Sequence, residues 1–436
     1  MATGTVHLYV GPTCSAVEVR RRFPDVVVHP PASHGDFFAA DLVSGDVAVV
    51  VDGYYHHRLG LRHKEYLYAL DRGVTVLGAA SIGALRAREL SAFGMRGSGA
   101  VYELYRAGVF DGDDAVAVAH EDSAPYTSLS VPLVNLYAAA QAACAAGVLR
   151  SEDVDEVIAA LRAEYYPLRT EARVVRILRR AGRAELADWY EERTAADPHV
   201  FDQKRRDCLD AVEAARHLVA DGAVGQVTGS GGADWKTVFL RVWSNSFAER
   251  TGDPPLGHRL AYQQIFSSGY PRAWERYLDE TYRRRRPAPA GEAVGDLAES
   301  LSRQIGVARF PQPVTHKEDW LFDFVCPVPD LSDPGEVELL LSTEEPGDVE
   351  TVARYLRQLR EFTGRGSGFA VGDDPEVLSG DAAKVLLCHL WEVPPAKLVR
   401  ECRRRGIPNV RTAIRILQPF VVGAIKDRKY TRVGPA

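Results

Sequence analysis

The segment Gly78-Ala79-Ala80-Ser81-Ile82-Gly83-Ala84-Leu85-Arg86 contains the side chain best suited to covalent chemistry, the hydroxyl of Ser81. An apolar run at residues 74–77 precedes it, and a helical pattern follows from Ile82. Small neighbours permit a sharp backbone turn that leaves a serine hydroxyl exposed above the end of a strand. Amides at the helix start, including that of Ile82, can stabilise a developing oxyanion. From its spacing alone, Ser81 is either a nucleophile or a residue that only caps its helix.

A lysine near another strand end is the first candidate for the base. Asp52-Gly53 ends one apolar run, and His63-Lys64-Glu65 opens the helix that follows. If the two strands are neighbours, Lys64 and Ser81 face each other at the rim of the sheet. A lysine with its ordinary pKa of ~10.4 must be desolvated, or placed beside another cation, before it can accept a proton near neutral pH. His63 and Arg86 are suitable cations; the alternative is a solvated Lys64.

Other side chains in the same half keep further alternatives open. Histidines that can act as a rival base are His29, His34, His56, His57 and His120. A zinc site built from His56, His57, His63 and Asp52 would match no common ligand spacing, so we expect no metal. Cys14 lies in the turn after the first apolar run, where it is either a nucleophile or a small buried side chain.

The elements that must position these residues alternate between strand and helix. Apolar runs at residues 6–10, 26–28, 46–51 and 74–77 predict strands, and helical patterns at 16–23, 37–42, 64–70 and 82–93 separate them. This order predicts an α/β fold with a mostly parallel sheet and flanking helices. Ligand sites in such sheets lie at the carboxyl ends of the strands, which here are residues 11–15, 52–53 and 78–81.

The second half of the chain is predicted to be largely helical. We assign residues 1–150 to the α/β core, 151–225 to a helical extension of it, 226–290 to a helical region and 296–436 to a mostly helical domain of unknown role. The Pro- and Gly-rich residues 286–295 have the composition of a linker. The tryptophans of this half serve either a helical core or a docking surface: Trp235, Trp243, Trp274, Trp320 and Trp391.

Composition excludes several classes of function. The chain has 436 residues, 46% of them apolar and 26% charged, with a formal net charge of -6. This balance is typical of a globular protein with more than one domain and gives no basic excess for nucleic acid. No apolar run approaches the ~18 residues of a membrane span, and the first thirty residues do not resemble a signal peptide. Six cysteines without a CxxC pair predict no disulfide framework. We therefore expect a cytoplasmic protein.

Several motifs together resemble the TfuA-like family in identity and order. They are His29-Pro30-Pro31-Ala32, Gly35-Asp36, Val51-Asp52-Gly53, His63-Lys64-Glu65, Gly78-Ala79-Ala80-Ser81-Ile82-Gly83-Ala84-Leu85-Arg86-Ala87 with Glu89-Leu90, Phe93-Gly94-Met95 with Gly97 and Gly99, and Pro132-Leu133-Val134-Asn135. The resemblance covers about residues 5–150 and fades through 165–170. Ile82 stands where methionine is common in the family, a near-isosteric change.

The resemblance implies a function in peptide modification. TfuA-like proteins are partners of YcaO enzymes, which activate a peptide amide with ATP; together they typically replace the amide oxygen with sulfur. The family is understood to cleave a thiocarboxylated ThiS-like carrier protein, releasing sulfide, and to help YcaO engage its precursor peptide. The family's Ser–Lys pair maps onto Ser81 and Lys64. We expect no cofactor in this chain, since ATP would be used by the YcaO partner.

The expected reaction is an acyl transfer followed by hydrolysis. Lys64 takes the proton of Ser81, Ser81 attacks the thiocarboxyl carbon, sulfide leaves and water releases the acyl group. Because a thiocarboxylate is an anion, the attack needs cations or donors, and His63, Arg86 and the Ile82 amide are the candidates. Asp52 can orient Lys64 or a histidine. The alternative function is a non-catalytic adaptor that couples YcaO to its peptide; a nucleotide site is disfavoured because neither glycine-rich phosphate motif is present.

Overall fold

The computed structural model describes residues 4–39, 42–54, 58–224, 235–285, 328–364 and 375–427. The chain divides into two units, Met1–Trp235 and Lys236–Ala436. The first unit contains a parallel sheet with flanking helices, and the second is largely helical. The predicted fold class is therefore confirmed. The finer division into four segments stays a prediction.

The sheet of the first unit has five parallel strands in the order β2-β1-β3-β4-β5. The strands are β1 (Val6–Tyr9), β2 (Val27–His29), β3 (Val47–Val50), β4 (Thr75–Ala79) and β5 (Arg96–Ser98). The four predicted strands are present with small shifts at their ends. Strand β5 was not predicted, because the segment Arg96–Ser98 is short and has no apolar run.

Helices cover both faces of this sheet. On one face, α1 (Ala16–Arg22) and α10 (Gln203–Ala220) pack against side chains of β1, β3 and β4. On the other face lie α2 (Asp36–Ala39), α3 (His63–Asp71) and α4 (Ile82–Leu90). All four residues of β3 are fully buried, which explains its continuous run of apolar residues. The strand order makes the fold doubly wound, with the change of direction between β1 and β3.

The remaining helices of the first unit form a separate core. They are α5 (Ala100–Arg106), α6 (Leu133–Ala145), α7 (Val154–Arg162), α8 (Glu171–Arg180) and α9 (Ala184–Ala196). Buried side chains such as Leu133, Leu161 and Val174 join these helices. Short 3₁₀ turns lie at Ser91–Phe93, Asp113–Ala115, Ser151–Asp153 and Tyr166–Leu168. The chain then returns to the sheet through α10, which brings residues near position 204 back to the strands.

The second unit is built from helices with two apolar cores. Its helices are α11 (Val238–Ala248), α12 (Leu256–Phe266), α13 (Tyr270–Arg285), α14 (Pro334–Leu340), α15 (Asp348–Thr363), α16 (Gly380–Leu390), α17 (Leu398–Arg404), α18 (Val410–Leu417) and α19 (Val421–Lys426), with 3₁₀ turns at Pro395–Lys397 and Gln418–Phe420. Trp274 and Trp391 are core residues, whereas Trp235 (in the first unit) and Trp243 are half-buried. Trp320 lies outside the described residues.

The sequence predicts neither a membrane span nor a disulfide framework, and the described part of the chain can be compared with both predictions. Among the helices in these ranges, none combines the length and the apolar character that a membrane span requires. The cysteines Cys14, Cys144, Cys208, Cys388 and Cys402 are unbridged, and Cys326 lies outside the described residues.

Candidate functional site

The backbone turns sharply between β4 and Ser81. Ala80 has a φ of 63°, and the Ser81 amide donates a hydrogen bond to the Ala79 carbonyl at 2.6 Å. A bond that spans only three residues defines a γ-turn, which is strained when its central residue has a positive φ. The Ser81 side chain makes no capping hydrogen bond to α4. The predicted sharp turn is present, and the structure gives no support to the helix-capping alternative.

Two glycines allow α4 to pack directly on the sheet behind this turn. A Cβ atom on Gly83 would lie 1.8 Å from the Val50 carbonyl oxygen. A Cβ atom on Gly78 would lie 2.1 Å from the Gly83 oxygen. Both distances are far below a van der Waals contact, so neither position accepts a side chain without a backbone shift. The small residues around Ser81 thus fix its helix against β3 and β4.

Ser81 lines a narrow cavity of about 50 Å³ at the carboxyl end of the sheet. The cavity lies where the chain leaves β1 and β3 in opposite directions, which is the usual ligand position in a doubly wound sheet. Its lining residues are Pro12, Asp52, Gly53, Ser81, Ile82, Asp113, Val116, Ala117, Val118, His120 and Lys204. The structure therefore brings together three of the predicted site residues, Asp52, Ser81 and Ile82.

Asp52 organises the loop after β1. Its Oδ2 accepts hydrogen bonds from the amides of Gly11 and Thr13, both at 2.9 Å. Its Oδ1 accepts a third from the Thr13 hydroxyl at 2.6 Å. A buried carboxylate with three donors is well satisfied and holds its neighbours in place. Asp52 thus sets the position of the loop that forms one wall of the Ser81 cavity.

The lysine that lines this cavity is Lys204, which was not among the predicted site residues. Lys204 is only 3% exposed, and its Nζ donates a hydrogen bond to the Val116 carbonyl at 2.9 Å. The Nζ lies 4.0 Å from Asp52 Oδ1. Burial lowers the pKa of the Lys204 amine, and the Asp52 carboxylate partly opposes this effect. A lysine whose pKa is lowered by desolvation is suited to act as a base.

The start of α10 is held by a residue from the Pro132-Leu133-Val134-Asn135 motif. Asn135 Oδ1 accepts a hydrogen bond from the Lys204 amide at 3.2 Å. Asn135 Nδ2 donates to Asp202 Oδ1 at 3.0 Å, and Asp202 caps the helix by accepting from the Arg205 amide. These bonds satisfy amides of the first turn, which have no partner within the helix. They fix the turn from which the Lys204 side chain extends to the cavity.

A sequence signal for Lys204 was present but indirect. Cys208, Ala211, Val212 and Ala215 form the buried stripe of α10, and Lys204 continues that stripe one turn earlier. A lysine on the apolar face of a helix is unusual and needs a partner inside the fold. The stripe alone does not reveal which strand ends it meets, because residue 204 is far from residues 52 and 81 in the chain.

The other predicted site residues lie elsewhere on the domain. Lys64 is in the first turn of α3, half-buried, and is not among the residues that line the Ser81 cavity. His63 Nε2 lies 2.8 Å from Glu89 Oε2, and Arg86 Nη1 donates to the same oxygen at 2.5 Å. The His63 side chain is 50% exposed. His63, Arg86 and Glu89 form a surface cluster on α3 and α4. The catalytic role of Lys64 stays a prediction.

Glu65 gives the His63-Lys64-Glu65 motif a structural role. Its side chain is fully buried and accepts hydrogen bonds from the amides of Gly35 at 2.7 Å and Arg62 at 3.1 Å. Burial raises the pKa of this carboxyl group to about 7, although both hydrogen bonds act in the opposite direction. Glu65 therefore joins the start of α3 to the loop before α2.

Among the histidines proposed as rival bases, His120 lines the Ser81 cavity. Its Nδ1 lies 2.7 Å from the Glu121 carbonyl. Because a carbonyl can only accept, Nδ1 holds the proton and Nε2 is the acceptor of the neutral ring. His29 stacks on Tyr9, and His34 lies beside Glu65. His56 and His57 lie outside the described residues.

The remaining alternatives from the sequence concern metal and thiol chemistry. Within the described ranges, no group of three His, Cys, Asp or Glu side chains is arranged to hold a metal ion. Cys14 is a small buried side chain, and its Sγ donates to Glu18 Oε2 at 3.5 Å. The thiol belongs to the apolar cluster between the sheet, α1 and α10.

This geometry defines a doubly wound α/β domain with a serine at the end of a central strand. Residues 52–170 match a family described as TfuA-like protein, so the chain contains a TfuA-like domain. The match begins later and ends later than the resemblance at residues 5–150, and it includes Asp52, Lys64, Ser81 and Asn135 but not Lys204. No curated protein matches the chain. The TfuA-like match supports a role in YcaO-associated peptide thioamidation in general.

Proposed function

We propose that this protein releases sulfide from a thiocarboxylated ThiS-like carrier protein, with Ser81 as the nucleophile, for a YcaO enzyme that thioamidates a precursor peptide. The observation behind this proposal is that Ser81 and the buried Lys204 line one cavity at the carboxyl end of the sheet. The TfuA-like match at residues 52–170 supports the same class of function.

The first chemical step forms an ester and releases sulfide. A neutral lysine amine takes the Ser81 proton, and the Ser81 oxygen attacks the thiocarboxyl carbon of the carrier. The carbon–sulfur bond breaks, and the sulfur takes the proton back from the lysine and leaves as hydrosulfide, HS⁻. In the second step water attacks the ester, so that Ser81 is regenerated, the carrier leaves as a carboxylate and one proton passes to the solvent. Atoms and electrons balance without an oxidant, a reductant or a metal.

Charge develops on the carbonyl oxygen during both steps and must be stabilised. The Ile82 amide is the candidate donor, because Ile82 opens α4 and lines the cavity. The next two amides already donate elsewhere, Gly83 to the Val51 carbonyl at 3.2 Å and Ala84 to the Ser81 carbonyl at 2.9 Å. The positive end of a helix dipole adds to this effect. His63 and Arg86 form a cluster with Glu89 outside the cavity lining. They would act on the carbonyl oxygen only through longer-range electrostatics.

Two lysines are candidates for the base, and they rest on different arguments. Lys64 corresponds to the lysine of the family's Ser–Lys pair. Lys204 lies outside the matched residues, but it lines the same cavity as Ser81 and its pKa is lowered by burial. Since only a neutral amine can take the serine proton, desolvation favours Lys204. We therefore assign the base role to Lys204 in this proposal.

The proposal is tested by incubating the protein with a thiocarboxylated ThiS-like carrier and following the carrier by intact-protein mass spectrometry. The wild-type protein should convert thiocarboxylate to carboxylate, and Ser81→Ala should not. Ser91→Ala is the matched control, because Ser91 lies at the far end of α4 with an exposed hydroxyl bonded to the Arg88 carbonyl. It should retain the wild-type rate.

The adaptor alternative makes the opposite prediction for the complete system. If Ser81→Ala supported full thioamidation of the precursor peptide by YcaO with the carrier as sulfur donor, Ser81 would not be a nucleophile. The protein would then serve to couple YcaO to its peptide.

A further inference from the structure

The second unit contains a cavity of its own. Its volume is about 370 Å³, and its walls come mainly from α11, α12, α13 and α18 together with the segments at residues 328–331 and 406–408. Most of its lining is aliphatic or aromatic, including Leu260, Tyr270 and Ile416. We call this cavity the unit-2 pocket. A largely apolar cavity of this size with a few polar groups has the usual composition of a ligand site.

Two contacts fix the shape of the unit-2 pocket. Asn245 Nδ2 donates a hydrogen bond to the Pro329 carbonyl at 2.7 Å, and Asn245 Oδ1 accepts one from the Leu331 amide at 3.0 Å. On another side Gly406 packs against the ring of Trp274, where a Cβ atom would lie 2.7 Å from the ring carbons. The wall at residues 329–331 and the Trp274 ring are therefore held in place without a ligand.

The indole of Trp274 indicates that the ligand has a polar group. Trp274 lines the unit-2 pocket and is only 2% exposed, and its Nε1 has no hydrogen-bond partner among the described residues. A buried N–H group without an acceptor is unfavourable, and such groups are rare in folded proteins. A ligand in the pocket can supply the acceptor, for example as a carbonyl oxygen.

The unit-2 pocket also contains acceptors, and its charges cancel. Gln264 Nε2 donates to the Arg405 carbonyl at 3.1 Å, which leaves Gln264 Oε1 as an acceptor. The charged residues of the lining are Glu249 and Arg415. Burial raises the pKa of the Glu249 carboxyl group, and the positive charge of Arg415 opposes this effect. A lining with one charge of each sign favours an uncharged ligand over a polyanion or a polycation.

Apolar side chains continue from the unit-2 pocket along the surface of α11. Val242 lines the pocket and is exposed. Val238 and Phe239 lie one helical turn before it, on the same side of the helix, and Phe239 is 87% exposed. We call these three residues the α11 stripe. Adjacent exposed apolar side chains are typical of a protein-interaction surface, so the ligand extends beyond the pocket.

We propose that the unit-2 pocket and the α11 stripe together bind an uncharged, apolar polypeptide segment of a partner protein, with one large apolar side chain inside the pocket. A peptide unit has one N–H donor and one carbonyl acceptor, which match the acceptors of Glu249 and Gln264 and the donor of Trp274. The inference goes beyond the proposed function and does not depend on it, because none of these residues belongs to the TfuA-like match or lines the Ser81 cavity.

The test measures binding of short peptides to the full-length protein by ligand-observed NMR. The probe is a capped hexapeptide of glycine and serine with a Phe-Leu pair at its centre, which has no charge. We expect saturable binding that is weakened at least tenfold when both apolar residues are replaced by serine. Free L-phenylalanine should not displace the probe at equal concentration. Equal binding of the two peptides, or displacement by the free amino acid, would overturn the proposal.

A pair of surface variants identifies where the probe binds. Val242→Trp places a bulky ring at the pocket and should weaken binding at least tenfold, and the exposure of Val242 means that the fold can accept the change. Val399→Trp is the matched control, because Val399 is an exposed valine of α17 outside the pocket lining. It should bind like wild type. An unchanged affinity in Val242→Trp would refute the assignment of the pocket.

A second copy of the chain is the other occupant that the α11 stripe could have. Sedimentation velocity of wild type and Phe239→Ser distinguishes the two cases. The proposal predicts the same oligomeric state for both proteins and at least threefold weaker binding of the probe by Phe239→Ser. A wild-type oligomer that Phe239→Ser dissociates would show that the stripe is a contact between copies of this chain, and the proposal would be wrong.

Discussion

The two lysines of the first unit lie in contrasting surroundings. Lys64 is half-buried in the first turn of α3, next in sequence to His63, which belongs to a cluster of charged side chains at the surface. Lys204 is in the first turn of α10, buried beside one carbonyl and one carboxylate, and lines the cavity of Ser81. Lys64 is identified by its motif, whereas Lys204 is identified by its position in the fold.

The proposed reaction depends on the burial of its lysine. Removing water favours the neutral amine, which is the form that activates a hydroxyl group. The neighbouring carboxylate limits this effect but also holds the amine in place.

Replacement of the two lysines should have very different effects on carrier hydrolysis. Lys204→Met removes the proposed base, and general bases typically contribute about 10²–10⁴-fold, so kcat/KM should fall by about that factor. Lys204→Arg should be equally slow, because an arginine keeps its charge and cannot accept the proton. Lys64→Met should remain close to wild type. Single-turnover rates of sulfide release provide the measurement.

The reverse result would restore the motif-based assignment. A large loss in Lys64→Met with an active Lys204→Met would make Lys64 the base. A large loss only in His120→Gln would transfer the role to the histidine that lines the same cavity. The folding of each variant is checked by circular dichroism before its rate is interpreted.

The second effect concerns stability and the buried carboxyl of Glu65. Its pKa is about 7 in the folded protein and near 4.5 in the unfolded chain, so the folded state holds the proton more tightly. The stability that this tighter proton binding provides is complete below pH 4.5 and is lost as the pH rises through 7. The free energy of unfolding should therefore fall by about 3 kcal/mol across that range.

Urea denaturation at pH 5 and pH 8, read from peptides of α3 by pulse-labelling mass spectrometry, measures this change. Glu65→Gln cannot titrate and should show a smaller difference between the two pH values. Glu89→Gln, an exposed carboxyl variant in the surface cluster, is the control and should behave like wild type. An identical pH dependence in Glu65→Gln would contradict the assignment.

The third effect is a shift in the pH profile of hydrolysis. If the neutral form of Lys204 is the base, kcat/KM should rise with pH, with an apparent pKa below that of an ordinary lysine. The Asp52 carboxylate raises the pKa of Lys204, so Asp52→Asn should move the profile to lower pH. Arg86→Gln changes a charge outside the cavity and should leave the midpoint in place. A shift to higher pH in Asp52→Asn would show that another group titrates.

The smallest effect is expected in the surface cluster. Arg86→Ala removes an ion pair with Glu89 that is partly open to water, and such pairs contribute about 0.2–1 kcal/mol. The free energy of unfolding should change within that range, and the rate of sulfide release should change little. A loss of activity comparable with that of Ser81→Ala would instead place Arg86 in the reaction.

Much of the fold was predictable from local patterns. The valine run of β3 and the apolar run of β4 identified the two central strands, because strands buried on both faces need continuous apolar residues. The small residues around Ser81 predicted the sharp turn. By contrast, β5 has no local signal, since Arg96, Gly97 and Ser98 pair with β4 only through the backbone.

The site was predictable only in part. Asp52, Ser81 and Ile82 converge because they follow neighbouring parallel strands, and that convergence follows from the strand order. Lys204 comes from α10, which returns to the sheet after five intervening helices. The spacing of residues in the sequence does not predict its contact with the ends of the strands. The direction of the Lys64 side chain is likewise not encoded by its position at a helix start. Which side chain is desolvated is a property of the assembled fold.

The most direct test of the central claim is to trap the ester on Ser81. Wild-type protein is mixed with thiocarboxylated carrier, quenched in acid within milliseconds to seconds, digested and analysed by mass spectrometry. The account predicts a hydroxylamine-sensitive acyl adduct at Ser81 that is absent in Ser81→Ala, strongly reduced in Lys204→Met and retained in Lys64→Met. Sulfide release without an adduct at Ser81, or an adduct on another residue, would contradict it.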